Sequence, residues 1–295
     1  MRFTPLKAIG GVVCVAKSSR ITLLRNMTTK VGIVQMQSTA DKERNFDQAV
    51  KYINQAKASG VKIVFLPECF DFVGRSREET LDLSEALDGP LITKYRALAS
   101  RESLWISLGG AHIRVSNPTC MRSSFFESKA ICAGTEAPIV IQNTPIGNLG
   151  LAVCYDMRFP ELASHLRYAK NAHVLSYPSA YTTRTGEAGH WHTLIRARAI
   201  ENQCYVVAAA QEGKHNEGRS SYGHSLVVDP WGQIITEQLN PGPGLLTCEI
   251  GPFTMVNATT SIIPKIYHVR RSMPVEYHRR FDLFPMSDSG YPRCK

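Results

Sequence analysis

Two short stretches carry reactive side chains at the ends of apolar runs. In LGLAVCYDMRFPEL, residues 149–162, small apolar residues lead into Cys154 and then into an abrupt polar turn. In VKIVFLPE, residues 61–68, an apolar run ends at Pro67 and Glu68. Covalent hydrolysis of an acyl compound needs a nucleophile, a carboxylate to carry its proton, and a fixed donor for the developing oxyanion. Cys154 stands just before a turn and a helix start, where amide N–H groups stabilise a thiolate and can hold an oxyanion. Glu68, set against apolar walls, is suited to take a proton and then return it. Each residue also has a plainer reading. Cys154 alone is a small hydrophobe in a buried strand, and Glu68 alone is a strand-end charge.

Both residues need a rigid frame, and strand-like runs alternate with helix-like ones along the chain. VGIVQMQ (31–37), VKIVFLPE (61–68), LWISLGGAHIRV (104–115), LGLAVC (149–154), AHVLSYPSAY (172–181) and CYVVAAAQ (204–211) read as strands. The stretch 41–60 places Phe46, Ala49, Val50, Ile53 and Ala56 at helical spacing, and Gly60 stops it. Residues 90–103, 160–169 and 190–203 read as further helices, the second with Pro160 in its first turn. Residues 221–238 read as a hairpin turned by Asp229-Pro230-Trp231-Gly232. No repeat period appears. The expected organisation is one α/β domain over 30–250, a targeting leader over 1–29, and a less regular extension over 251–295 that could serve an oligomer contact.

The 295 residues are 43% apolar and 20% charged, an ordinary globular balance. No apolar run is long enough to span a bilayer, so no membrane role is expected. The net charge of +9 falls to +3 once Arg2, Lys7, Lys17, Arg20, Arg25 and Lys30 are set aside. The basic excess is thus a property of the acid-free N-terminal stretch, and no nucleic-acid footprint follows. That stretch also carries Ser and Thr, as a mitochondrial transit peptide does. AIGGVVCVA within it could be a secretory core, but basic residues persist to Lys30. A start at Met27 would give a leaderless form, so both mitochondrial and cytoplasmic locations are expected. The eight cysteines show no CxxC pairing and read as reduced thiols. His190-x-His192 is too sparse to read as a metal motif, and no metal or cofactor is expected.

LPECFDF and GLAVCYDMRFPEL resemble the glutamate and cysteine segments of the nitrilase, or carbon–nitrogen hydrolase, superfamily. Residues 177–211 and RSSYGHSLVVDPWG are similar to its Nit branch. The resemblance runs from residue 31 to about 280. It implies a four-layer α-β-β-α sandwich in which Cys154 and Glu68 meet at strand ends. Cys154 would be the nucleophile and Glu68 the general base and acid. Tyr155 would offer its backbone N–H to the oxyanion. Arg158 would either grip a substrate carboxylate or lock the turn through an ion pair. Tyr177, Ser179 and His190 follow a strand facing the same crevice, where packing or turn roles suit them equally well.

The resemblance also implies a substrate and an assembly: a small-molecule amide, specifically deaminated glutathione, and a homo-oligomer. An ω-amidase acting on keto-acid monoamides is the alternative. One break interrupts the match. The family carries a β-hairpin ending in a Tyr-Arg-Lys motif between the two segments, and its lysine is the oxyanion donor. Here only SNPTCMRSSF separates GGAHIRV from FESKAICAGTE, too short for that hairpin. Lys129, Glu127 and Glu136 belong to the downstream loop and take no family role. The expected fold therefore lacks one hairpin, and a catalytically dead binding relative is a second reading.

Overall fold

Strands buried on both faces send alternate side chains into two different cores. The computed structural model, which describes residues 8–9, 12–15, 28–114, 137–253 and 264–280, builds its central strands this way. Its first half contains β1 (Ala8–Ile9), β2 (Val12–Val15), β3 (Thr29–Gln35), α1 (Lys42–Ala58), β4 (Ile63–Phe65), α2 (Arg77–Leu83), α3 (Pro90–Glu102) and β5 (Trp105–Gly110). The second half opens with β6 (Val140–Thr144), β7 (Gly147–Leu151), α4 (Pro160–Ser164), β8 (Val174–Ser176), α5 (Thr183–Glu187) and α6 (His190–Asn202). It continues through β9 (Tyr205–Ala208), β10 (Glu212–Asn216), β11 (Arg219–Tyr222), β12 (Leu226–Val228) and β13 (Ile234–Glu237). β14 (Gly244–Ile250), α7 (Lys265–Ser272) and α8 (Val275–His278) complete it.

Two six-stranded sheets result, ordered β1-β2-β5-β4-β3-β14 and β13-β12-β9-β8-β7-β6. Each has three parallel central strands flanked by antiparallel ones. Ile33, Phe65, Leu149, Leu151, Val174, Val207 and Val227 face one another between the sheets. Their neighbours Val34, Val64 and Ile106 turn outward onto Ile53 of α1 and Tyr95 and Leu98 of α3. On the other side Leu175, Val206 and Val228 pack against Ala163 of α4 and Trp191 and Ile195 of α6. Helix, sheet, sheet and helix therefore form four layers, as the resemblance implied.

Local signals explain the helix ends. Asp41 caps α1 by accepting from the Arg44 amide, and Gly60 beyond its end takes a left-handed φ of 78°. Pro90 and Pro160 stand in the first turns of α3 and α4. The 160–169 helix does not stay α: its second half, His165–Ala169, widens to a π-helix. The 221–238 hairpin forms with Asp229 at its turn, where Oδ1 accepts from the Trp231 and Gln233 amides.

Within the segment expected to be a separate leader, β2 pairs antiparallel with β5, matching Val12 to Gly110 and Val15 to Ile106. The extension after 250 also packs on its own chain. Ile266 and Val269 of α7 are buried, and Arg270 donates to the Gln203 and Ala172 carbonyls. Residues 115–136, where the sequence breaks from the family pattern, lie outside the described residues, as do Glu127, Lys129 and Glu136. No helix among the described residues is long and apolar enough to cross a membrane.

Candidate active site

Glu68 lies beyond the C-terminal end of β4, where the apolar run Ile63–Leu66 stops at Pro67. The chain then turns through Cys69, whose φ is 56° and whose amide donates to the Gly110 carbonyl at 2.8 Å. Two glycines at the end of β5 make this approach possible. A Cβ on Gly109 would lie 2.2 Å from the Pro67 carbonyl oxygen, and its φ of 64° also favours glycine. A Cβ on Gly110 would press at once on Glu68 Cγ at 3.1 Å and Val153 Cγ1 at 3.2 Å. The side chains of residues 68 and 153 thus flank the same bare stretch of backbone.

Cys154 follows β7 and opens a 3-10 turn over Cys154–Arg158. Its φ of 37° is unusual for a residue with a side chain, and such strain concentrates at functional sites. Asp156 holds the turn. Its amide donates to the Val153 carbonyl at 2.7 Å, and its Oδ2 accepts from the Val153 amide at 2.9 Å. Burial pushes the Asp156 carboxyl up, and the Val153 bond opposes that. The turn leaves the Cys154 side chain half-buried, so it is packed but reachable.

The two candidate residues converge on one segment. The Glu68 carboxylate reaches across to the Ala180 amide, with Oε2 at 2.8 Å. The Cys154 amide donates to the Pro178 carbonyl at 2.9 Å. Residues 178–180 follow β8, the central strand of the second sheet. The first sheet therefore supplies the carboxylate and the second supplies the Cys154 backbone, and both bond to the segment that follows β8. Both residues lie beyond the carboxyl ends of parallel strands, where α/β sheets place their sites.

The other expected residues separate. The Tyr155 backbone sits in the same turn, while its ring is exposed. Arg158 Nη2 donates to the Tyr181 hydroxyl at 2.7 Å, with its guanidinium 5.4 Å from the Tyr155 ring and 5.6 Å from the Tyr181 ring. It is therefore held between aromatic rings beside the turn. Burial pushes the Tyr181 phenol up; Arg158 opposes this, and the charge of Cys154 adds to it. Tyr177 and Ser179 are buried, and His190 is exposed.

Several residues that position the site escaped sequence reasoning. Gln211 is fully buried after β9, and its Nε2 donates to the carbonyls of Glu68 and Cys69, both at 3.0 Å. The same group bonds Ser38 Oγ, which ties together the ends of both sheets. Asp71 accepts from the His112 amide at 2.7 Å and its Nδ1 at 3.1 Å, while Phe72 stacks on the imidazole at 4.3 Å. Burial alone would lower the His112 pKa, but Asp71 and Cys69 outweigh it and hold His112 well above its ordinary value. A polar residue one step past an apolar strand was the available signal. Gln211 follows CYVVAAA much as Glu68 follows VKIVFLP.

A four-layer sandwich with Glu68 and Cys154 each placed just beyond a parallel strand fits one class, and this chain belongs to the carbon–nitrogen hydrolase family. The Carbon-nitrogen hydrolase family pattern matches residues 30–123 and 114–255. The human deaminated glutathione amidase is 40% identical over 300 residues, covering 89% of this chain and 85% of the relative. Among solved structures, the Caenorhabditis elegans NitFhit protein superposes with a TM-score of 0.76 at 40% identity, covering 87% of this chain and 66% of that one. Saccharomyces cerevisiae Nit3, a member of branch 10 of the nitrilase superfamily, superposes with a TM-score of 0.70 at 30% identity. It covers 86% of this chain and 97% of its own.

Proposed function

We propose that the chain hydrolyses the amide bond of deaminated glutathione through a thioester on Cys154. The observation that carries this reading is the convergence of Glu68 and the Cys154 turn on residues 178–180. Glu68 takes the Cys154 proton as the sulfur attacks the amide carbonyl. The oxyanion forms against the Tyr155 backbone N–H. Glu68 then gives its proton to the departing nitrogen, and the C–N bond breaks to leave an amine and a thioester. Water enters, loses its proton to Glu68 and attacks the thioester, releasing the acid and restoring the thiol. Arg158, fixed by Tyr181 and two rings, is placed to receive a substrate carboxylate. Names of relatives at about 40% identity support the substrate.

Binding without hydrolysis is the second reading, and one observation favours it. The family pattern matches in two pieces that meet at residues 114–123, where the sequence lacks the Tyr-Arg-Lys segment. The match to the human relative also runs over 300 positions while covering 89% of a 295-residue chain, so that relative carries residues with no counterpart here. Loss of one preorganised oxyanion donor costs on the order of 10²–10³ in rate. Amine release from deaminated glutathione by the full chain separates the readings. Slow but measurable release that disappears in Cys154→Ala and in Glu68→Gln supports hydrolysis. Saturable substrate binding with no release, even at high enzyme concentration, would replace the first reading with the second.

A further inference from the structure

We propose that His192, His224 and Glu237 form a binding site for one divalent transition metal, Zn²⁺ above all. The site is separate from the Cys154 crevice. Nothing in the hydrolytic mechanism uses these residues. The sequence pairs His192 with His190, yet His190 is exposed and takes no part. The partners come from distant elements: His192 from the first turn of α6, His224 from the turn between β11 and β12, and Glu237 from β13.

Their donor atoms all lie within 4.8 Å of one another. Glu237 Oε1 is 2.8 Å from His192 Nε2 and 2.7 Å from His224 Nδ1. Donors about 2.1 Å from a tetrahedral zinc stand roughly 3.3 Å apart, so slight spreading of these side chains admits the ion. Two imidazole nitrogens and one carboxylate oxygen are a donor set that suits zinc, and three protein ligands leave a fourth position for water. All three side chains are partly exposed, at 29%, 30% and 16%, so an ion can enter. Partial burial would raise the Glu237 carboxyl, but bonds from both histidines hold it below its ordinary value.

The surroundings fix the ligands before an ion arrives. His224 has a left-handed φ of 57°, and its carbonyl accepts from the indole of Trp191 at 2.9 Å. Trp191 is fully buried and precedes His192, so one hydrogen bond sets two ligands relative to each other. The Tyr222 ring lies flat on the His224 imidazole, with centroids 4.3 Å apart and planes 20° apart. Metal binding exchanges the two imidazole–carboxylate hydrogen bonds for three coordinate bonds. Each imidazole then carries its proton on the nitrogen away from the ion, and no electron changes hands. The ion clamps α6 to β13 and to the β11–β12 turn. Along α6, the Arg198 Nε bonds the Met157 carbonyl within the Cys154 turn, so the clamp braces the helix behind the nucleophile.

Equilibrium dialysis of the full chain against Zn²⁺ tests the site, with His224→Ala, Glu237→Gln and His190→Ala alongside. The parent and His190→Ala should bind one equivalent more than the other two. Affinity for that equivalent should fall in His224→Ala by more than the roughly 10–100-fold seen when an outer-shell partner is lost. Zinc should raise the melting temperature of the parent and leave Glu237→Gln unmoved. Co²⁺ distinguishes this site from the cysteines: it should give weak visible bands without the intense near-ultraviolet charge transfer of a thiolate ligand. Equal zinc stoichiometry in the parent and both ligand variants, or a cobalt spectrum dominated by thiolate, would overturn the proposal.

Discussion

In the second sheet, the flank beyond β9 is closed by its neighbours in the chain. β12 and β13 come soon after, past the short β10–β11 hairpin, and Asp229 ties their turn through the Trp231 and Gln233 amides. In the first sheet, the matching flank beyond β5 is closed by β2, from near the start of the chain. The central strands otherwise correspond, parallel β3-β4-β5 against parallel β7-β8-β9. One half thus finishes its sheet from local sequence, while the other recruits a distant segment. An open strand edge exposes unpaired N–H and C=O groups, and a β-rich segment within reach will pair with it. VVCV at 12–15 is such a segment.

Removing the distant segment breaks this contrast directly and should have the largest effect of any single change. A chain beginning at Met27 lacks β1 and β2 and leaves the β5 edge without that pairing. We expect a loss of about 5 kcal/mol or more, comparable with the whole stability of many domains. It should appear as a lower melting temperature and as self-association on gel filtration. Identical melting and elution for the full and shortened chains would show that the first sheet needs no distant strand.

Legibility in the sequence followed the same division. Periodicity and turn chemistry were enough for α1, α3, α6 and the Asp229 hairpin, because each depends on neighbouring residues. Both sheets could be anticipated as layers from runs such as VKIVFLP and LGLAV. The pairing of β2 with β5 was hidden because its basic, acid-free surroundings read as a leader, and composition carries no register. In the site, Cys154 and Glu68 were visible as polar endings of apolar runs. The Ala180 amide was not, since a backbone donor leaves no mark on residue type. Neither was the meeting of His192 with His224 and Glu237, which only the packing of α6 against β13 creates.

The Asp71–His112 pair, with Asp71 buried and His112 partly so, sharpens the comparison at the next level of effect. It binds the loop after β4 to the extension of β5, the part of the first half that holds Glu68. Asp71→Ala would leave the partly buried His112 ring without its carboxylate partner, at a cost of about 1–3 kcal/mol. The same substitution should slow amine release, because residues 68–72 lose their anchor. Chemical denaturation and single-turnover rates measure the two effects separately. A stable variant with full activity would mean that the first half does not depend on this pair.

The second half holds a partly buried histidine whose shift runs the other way, and acid should reveal it. Burial pushes His173 down to about 4, helped by Arg270 and Arg167, from an ordinary value of 6.5. Its Nδ1 accepts from the Asn148 amide at 3.0 Å, a bond that needs the neutral ring. Between pH 6.5 and about 4 the unfolded chain therefore binds a proton that the folded chain refuses. Stability from this group is intact above 6.5 and falls through that window, by an amount on the order of 2–3 kcal/mol. His112 behaves in the reverse sense: its raised value gives stability below its ordinary pKa that is lost as pH climbs through the folded one. His173→Gln should flatten the acid limb of melting temperature against pH while leaving the alkaline limb alone. If the acid limb keeps its slope in that variant, carboxylates set the response to acid, and the two halves do not differ in the way their histidines indicate.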